Sequence, residues 1–297
     1  MIIQQFLSRV ESRNELQKKA LSKVLANLSI EEKDKLEQVL EYYIEKYGFD
    51  YTVESYLILI EDTLRETKYF VEHGHYRCST FEEVSQNVYF NDDYMSKYML
   101  GLAISGYLWT THLKMHRNFV TILAQVKEGN QYLEIGPGHG QHFLEAVNTQ
   151  KFNNYLGIDL SPASVKNTID FVERFVKKDE KHNYQVLCKD FFELENEDQF
   201  DMIVMGEVLE HVEKPQKLLQ KLYQVLSENG RAYITVPVNA PAIDHIYLFR
   251  TVEEVKDMVC QCGFKIIDTY IVTANEVPLE KVIKKRMVID VALLIQK

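Results

Sequence analysis

The chain has 297 residues, of which 46% are hydrophobic and 26% charged, the proportions of a soluble globular protein with room for one large or two modest domains. Its formal net charge of -10 argues against duplex nucleic acid as a partner, because neutralising phosphates needs a basic surface, although a local basic patch stays compatible with it. Four cysteines, Cys78, Cys188, Cys260 and Cys262, are too few and too irregularly placed for a disulfide framework or a zinc site, and the first residues carry no signal-peptide pattern.

A reduced, cytoplasmic protein is the simplest expectation. The most apolar run, Met99 to Trp109, is too short for a bilayer span of about 20 residues, so no membrane partner is expected.

The first 125 residues show helical periodicity and almost no strand signal. Leu21, Val24, Leu25 and Leu28 make one apolar stripe, and Leu36, Val39, Leu40 and Tyr43 make the next. Ser29 with Glu32 forms a capping box between them. A third helix is expected over Val53 to His73, ended by Gly74, and Thr80 with Glu83 opens a short fourth. Asn91-Asp92-Asp93 is the next N-cap, and a long helix should run from it towards Val126, bent or interrupted near Gly101 and Gly106. Its apolar residues lie all round the wheel, which predicts burial between two layers.

The stretch Gln131-Tyr132-Leu133-Glu134-Ile135-Gly136-Pro137-Gly138-His139-Gly140 reads as a strand buried on both faces that runs into a ligand loop. Glycine there lets a ligand approach the backbone and permits positive φ in a tight turn. A helix from Gln141 to Val147 follows, with its free N–H groups aimed at the loop. An ordinary glycine-rich turn would look the same. A dinucleotide fingerprint wants glycine or alanine where this chain has Gln141, and the acidic Glu134 suits a cationic ligand better than a pyrophosphate.

Strands and helices then alternate. Strands are expected at Tyr155 to Ile158, Tyr184 to Cys188, Phe200 to Met205 and Arg231 to Val236. Helices are expected from Ser161-Pro162 to about Lys178, from Lys214 to Ser227, and from the Thr251/Glu254 capping box to Gly263. Two more strands, Phe264 to Val272 and Arg286 to Ile295, follow each other without an intervening helix and should pair antiparallel. Repeated strand-helix units imply a parallel sheet with right-handed crossovers. The expected organisation is a helical domain over residues 1–125, leaning on an α/β domain over 126–297.

In this order the motifs resemble a class I S-adenosylmethionine-dependent methyltransferase, over about residues 125–297. The resemblance implies a Rossmann-like, mostly parallel seven-stranded sheet with an antiparallel last strand. It also implies S-adenosylmethionine as cofactor, S-adenosylhomocysteine as product and no metal. Glu134, Gly136, Gly138 and Gly140 stand where the family's first motif has them. Asp159 ends the second strand, where a carboxylate accepts both ribose hydroxyls, and Asp190 with Phe191 falls where the adenine binds. Glu207-Val208-Leu209-Glu210-His211-Val212 resembles the segment beside the methionine moiety, with Glu207 and His211 on the cofactor side. Asp159 could instead cap a helix, Asp190 could be a turn carboxylate and His211 could simply fix a loop. All of these positions nevertheless fall at C-terminal strand ends, the edge where open parallel sheets bind ligands.

On the acceptor side, His245 in the loop after the fifth strand is the candidate base, the alternative being a histidine that only orders the loop. Asp244 precedes it, but adjacent side chains diverge, so no pair is inferred. Tyr107, Trp109 and His112 are candidate walls of the acceptor pocket, with core packing as their ordinary alternative. His139 and His142 flank the glycine loop and could face either ligand. His112 and His116 share a helix face, yet no third metal ligand is evident. Arg250 could clamp a substrate carboxylate or be an ordinary surface arginine. Lys281, Lys284, Lys285 and Arg286 read as a solvated loop.

The expected activity is O-methylation of a small natural product or peptide, including a peptide C-terminal carboxylate, with the helical domain covering or shaping the acceptor site. N-methylation is the alternative, and a non-catalytic ligand-binding or regulatory protein on the same fold is a reading of another class. The chain is expected to be a monomer or homodimer.

Overall fold

Local capping chemistry sets where the helices of the first 125 residues begin and end. A computed structural model describes residues 1–177, 183–195, 197–274 and 277–297, apart from the Asn87 side chain. Its first helices are α1 (Ile2–Arg13), α2 (Gln17–Asn27), α3 (Ile30–Tyr47), α4 (Phe49–His73), α5 (Phe81–Val84), α6 (Asp92–Leu108) and α7 (Thr110–Gln125), with a π-helical turn at Ser85–Tyr89. At the start of α3, Ser29 Oγ accepts from Glu32 N at 3.1 Å and Glu32 Oε2 accepts from Ser29 N at 2.7 Å, the predicted capping box. Gly74 stops α4 at φ 74, in the left-handed region that favours glycine.

The long helix expected after Asn91 breaks at Trp109, which separates α6 from α7, and not at its glycines. Gly101 has a different task. A Cβ built there would lie 2.6 Å from the Ser55 carbonyl oxygen, so the residue lets α6 press closely against α4.

The rest alternates: β1 (Gly129–Ile135), α8 (Gln141–Thr149), β2 (Phe152–Asp159), α9 (Pro162–Phe175), β3 (Tyr184–Cys188), β4 (Phe200–Gly206), α10 (Pro215–Val225), β5 (Leu226–Val238), α11 (Val252–Gln261), β6 (Lys265–Thr273), α12 (Leu279–Lys285) and β7 (Ile289–Gln296). The α9 end expected at Lys178 lies outside the described residues. The strands form one seven-stranded sheet in the order β3-β2-β1-β4-β5-β7-β6. β1 to β5 pair in parallel, and β7 runs antiparallel between β5 and β6. The fold is therefore the expected mixed α/β sheet with a reversed last strand.

Two local expectations are corrected. The lysine cluster sits on α12, a short helix between β6 and β7, and Arg286 ends that helix in a left-handed conformation at φ 51 instead of opening the last strand. Leu226 to Gly230, expected partly as helix, already belongs to β5.

β1 is central and covered on both faces. Leu133 and Ile135 pack with residues of α10 and α11, while Tyr132 joins a core that includes Phe143 of α8 and Phe171 of α9. That second core continues without a break into Phe6, Leu40 and Tyr56 of α1, α3 and α4. Surface ion pairs tie the same layers, including Lys35 to Glu145 at 2.9 Å and Lys46 to Asp170 at 2.6 Å. Among the described residues no helix is long and apolar enough to cross a membrane.

Phe119 of α7 is fully buried, with its ring centroid 5.5 Å from that of Tyr233 in β5 and 4.3 Å from that of His142 in α8. Phe119→Ala should lower unfolding stability by about 3–5 kcal/mol, measured by urea denaturation. A loss below about 1 kcal/mol would mean that α7 is not cemented to the sheet through this ring.

Candidate functional site

The C-terminal ends of β1, β2 and β4 meet below α6. After β1 the chain turns through Gly136 (φ 68), Gly138 (φ 54) and Gly140 (φ 84). A Cβ on Gly140 would stand 3.0 Å from Thr168 Cα in α9, so only glycine permits this packing. A Cβ on Gly138 would stand 3.0 Å from Met99 Sδ, which shows how closely α6 lies across the loop. The loop is pinned from both sides. Thr168 Oγ1 donates to Gly138 O at 3.0 Å, and Gly136 N donates to Ile158 O at 2.8 Å.

Asp159, at the end of β2, accepts from Ser161 N at 2.9 Å and from Gly138 N at 3.4 Å. Burial pushes its carboxyl up to about 6. It therefore both holds the loop and keeps lone pairs for a ligand hydroxyl. The helix-capping alternative falls to Ser161, whose Oγ accepts from Ser164 N.

Glu134 does not reach the loop. It is 3% exposed on the helix-covered face of β1, where its carboxyl accepts from Tyr132 Oη at 2.6 Å, and burial pushes it up to about 8.

At the end of β4 the backbone is strained. Glu207 adopts φ 54, with its N–H donating to Thr235 O and Oγ1 at 3.2 and 3.0 Å. Its side chain keeps much of its accessible surface, yet protein surrounds it closely enough for burial, with the charge of Asp290, to push it up to about 8. Asp290 of β7 is pushed up to about 6 by burial, and its Oδ2 has no hydrogen-bond partner.

His245 lies 8% exposed in the loop after β5, with Nδ1 2.6 Å from Ala240 O. Its Nε2 is 3.8 Å from Glu210 Oε1, and its ring centroid is 4.9 Å from that of His211. Burial and the nearby His211 push His245 down to about 4, so it is neutral near neutrality. Asp244 points at His211, not at His245: its Oδ2 is 3.5 Å from His211 Nδ1. Three tyrosines from the helical half reach this cluster. Tyr89 and Tyr98 donate to Asp244 at 3.2 and 3.4 Å, and Tyr76 Oη accepts from Ala240 N at 3.1 Å.

Of the other expected residues, Trp109 lies 4.9 Å from His112, and His139 in the glycine loop lies 6.4 Å from His142, between ring centroids. Asp190 accepts from Phe192 N at 2.9 Å, the turn role among its alternatives, and Phe191 is 5% exposed in the core below β4 while the neighbouring Phe192 ring is half exposed. Tyr107 lines a separate cavity of about 420 Å³ with Lys35, His116 and Glu145, on the α3 side of α8. Trp109 Nε1 donates to Tyr56 Oη at 3.1 Å. His112 Nδ1 lies 2.8 Å from Ser105 Oγ, and His139 Nδ1 accepts from Gln141 N at 3.2 Å. His116 does have a carboxylate companion, Glu145 at 3.8 Å, and it stacks on His142. Arg250 is exposed, and its N–H donates to Glu254.

Sequence reasoning passed over Tyr76, Tyr89, Tyr98, Glu210 and Asp290. Only Glu210 carried a signal, by falling within the Glu207–Val212 segment.

A family model described as a methyltransferase domain matches residues 110–267, more than half of the chain, starting at the first residue of α7. The (S)-coclaurine N-methyltransferase of Papaver somniferum is 31% identical over 111 residues, 37% of this chain and 30% of that protein. The ubiquinone biosynthesis O-methyltransferase of Rickettsia typhi is 30% identical over 123 residues, 41% of this chain and 44% of that protein. The chain thus matches less than half the length of these relatives. The crystal structure of the cyclase SpnF superposes with a TM-score of 0.55 at 16% identity, over 74% of this chain and 97% of that one. That likeness concerns the fold alone.

Because Glu134 keeps its proton in the folded state to about pH 8, while the unfolded chain releases it near the ordinary value of 4.5, its contribution to stability falls as pH rises through that window. Glu134→Gln should therefore flatten the fall in thermal midpoint between about pH 5 and pH 8. An unchanged slope would show that Glu134 is already ionised in the fold.

Proposed function

This chain belongs to the methyltransferase-domain family, and from that premise we propose that it transfers the methyl group of S-adenosylmethionine to a hydroxyl of a small acceptor. The observation that carries this reading is the glycine loop after β1 with Asp159 bonded to it from the end of β2, at the same strand edge as Glu207 at the end of β4. The residues fit the cofactor: the loop has no side chains at Gly136 and Gly138, and Asp159 stands at the end of β2 with lone pairs to spare. When bound, the cofactor supplies an electrophilic methyl on a sulfonium, a transfer that needs no metal of its own. Glu207 and Asp290, both costly to ionise alone, gain from a cation beside them.

The protein's own work is then to hold the acceptor in line and to receive its proton. At the acceptor end, His211 and His245 each have Nδ1 beside a backbone carbonyl, which leaves Nε2 as the basic atom. Glu207 and Asp290, once ionised beside the cofactor's cation, oppose an anionic acceptor, so esterification of a peptide carboxylate is disfavoured against a neutral hydroxyl. The same acidity favours an amine, and N-methylation is the second reading. Helices α4 to α6 and the π-helical turn form the acceptor-side cover in this proposal, as part of a helical 1–125 unit. Four unpaired cysteines accord with a reducing cytoplasm.

Calorimetry with S-adenosylhomocysteine should give saturable binding that Asp159→Ala weakens at least about tenfold, since a site-facing hydrogen-bond acceptor is lost. No binding by the intact chain would overturn the enzyme reading in favour of a fold that has left methyl transfer. In a panel of phenols, alcohols and amines, methylation of amines alone would replace the O-acceptor with the N-acceptor.

A further inference from the structure

Glu210, His211 and His245 turn one carboxyl oxygen and two ring nitrogens towards one another. His211 Nδ1 is 3.0 Å from Asp244 O and His245 Nδ1 is 2.6 Å from Ala240 O. A neutral ring held in this way carries its proton on the nitrogen that faces the carbonyl and leaves Nε2 as the ligand atom. The two Nε2 atoms lie 3.5 and 3.8 Å from the same oxygen, Glu210 Oε1. Glu210 is fully buried, and neither of its carboxylate oxygens has a hydrogen-bond partner. A carboxyl buried in this way holds its proton unless a cation stands beside it. Something positive belongs at their meeting point.

The spacing says what fits. Metal–ligand bonds of about 2.0–2.2 Å in tetrahedral array put donor atoms about 3.3–3.5 Å apart. The three donor atoms here all lie within 4.8 Å of one another, and the two glutamate–histidine separations are close to the tetrahedral value. The outer partners are those that metal-binding histidines need, with each Nδ1 held by a backbone carbonyl. Behind His211 stands the Asp244 carboxylate, itself fixed by Tyr89 and Tyr98. His211 retains 18% side-chain exposure, so the cluster is not sealed.

We propose that Glu210, His211 and His245 bind one divalent transition-metal ion of the zinc or ferrous class, with at least one coordination position left for a ligand. Two imidazoles and one carboxylate suit these ions better than magnesium or calcium, which prefer all-oxygen shells. Its use rests on the methyl-transfer reading: the ion holds the acceptor's hydroxyl oxygen and lowers its pKa, so that the proton passes to water. That narrows the acceptor to phenols and alcohols. The histidines then act as metal ligands and do not take the proton directly.

The test is a titration of the untagged, chelator-stripped chain with cobalt(II), read by visible absorption and calorimetry, with S-adenosylhomocysteine titrated in parallel. One cobalt(II) per chain, with the intense visible bands of a four- or five-coordinate site and displacement by zinc(II), is the expected result. Glu210→Gln and His245→Ala should each weaken cobalt(II) binding at least about tenfold. If neither variant folds, X-ray absorption of the zinc-loaded wild type should show two imidazole shells. No cobalt(II) or zinc(II) binding by the wild type, unchanged affinity in both variants, or a shell without imidazole would overturn the site. Retained S-adenosylhomocysteine binding without cobalt(II) binding sinks the metal site alone. The reverse result keeps the metal site and sinks the methyl-transfer reading.

Discussion

The close approach of α6 to its neighbours is the constraint on which the rest of the structure depends. One side of the helix meets α4 at Gly101, where any Cβ would strike the Ser55 carbonyl oxygen. Its other side meets the loop after β1 at Gly138, where a Cβ would press on Met99. Missing side chains at these two contacts let a helix lie over the strand ends. Close packing of this kind leaves little slack around the strand ends.

Enclosure then governs the chemistry. Carboxyls that would be fully ionised in water, at Asp159, Glu207 and Asp290, are driven up by burial, and histidines in the same region are driven down. Both shifts have one cause, since low polarisability penalises whichever form is charged. A sulfonium, an ammonium or a metal ion beside such acids would relieve part of that penalty, and an anion would not. The strained φ of Glu207 falls in the same region, at the end of β4.

Much of the frame was legible from residues that act on near neighbours. The boxes at Ser29 and Thr80 are satisfied three residues on, and the glycines at 74, 136, 138, 140 and 263 all take positive φ. The strand patterns of β1 and β4 gave the sheet, and the reversed β7 was expected from two strands in succession, although the short helix α12 between them was not. Where reading failed, a competing role was hidden. Gly101 looked like a bend because glycine is a poor helix former, whereas its use is contact with α4. Tyr107 lines the cavity beside α3, and Trp109 Nε1 donates to Tyr56 Oη, contacts that no spacing in the sequence shows.

By itself the sequence determined element identity, the glycine loop and the carboxylates at the strand ends, because each depends on residues a few positions apart. Only the tertiary structure decided what surrounds the acceptor. Tyr89 and Tyr98 meet Asp244 across 155 and 146 residues, and His211 meets His245 only because the loop after β5 folds back over the end of β4. No periodicity or spacing encodes such meetings. They follow from chain segments that sheet order and helix packing bring together, and from burial, which sets their charge only after they have met.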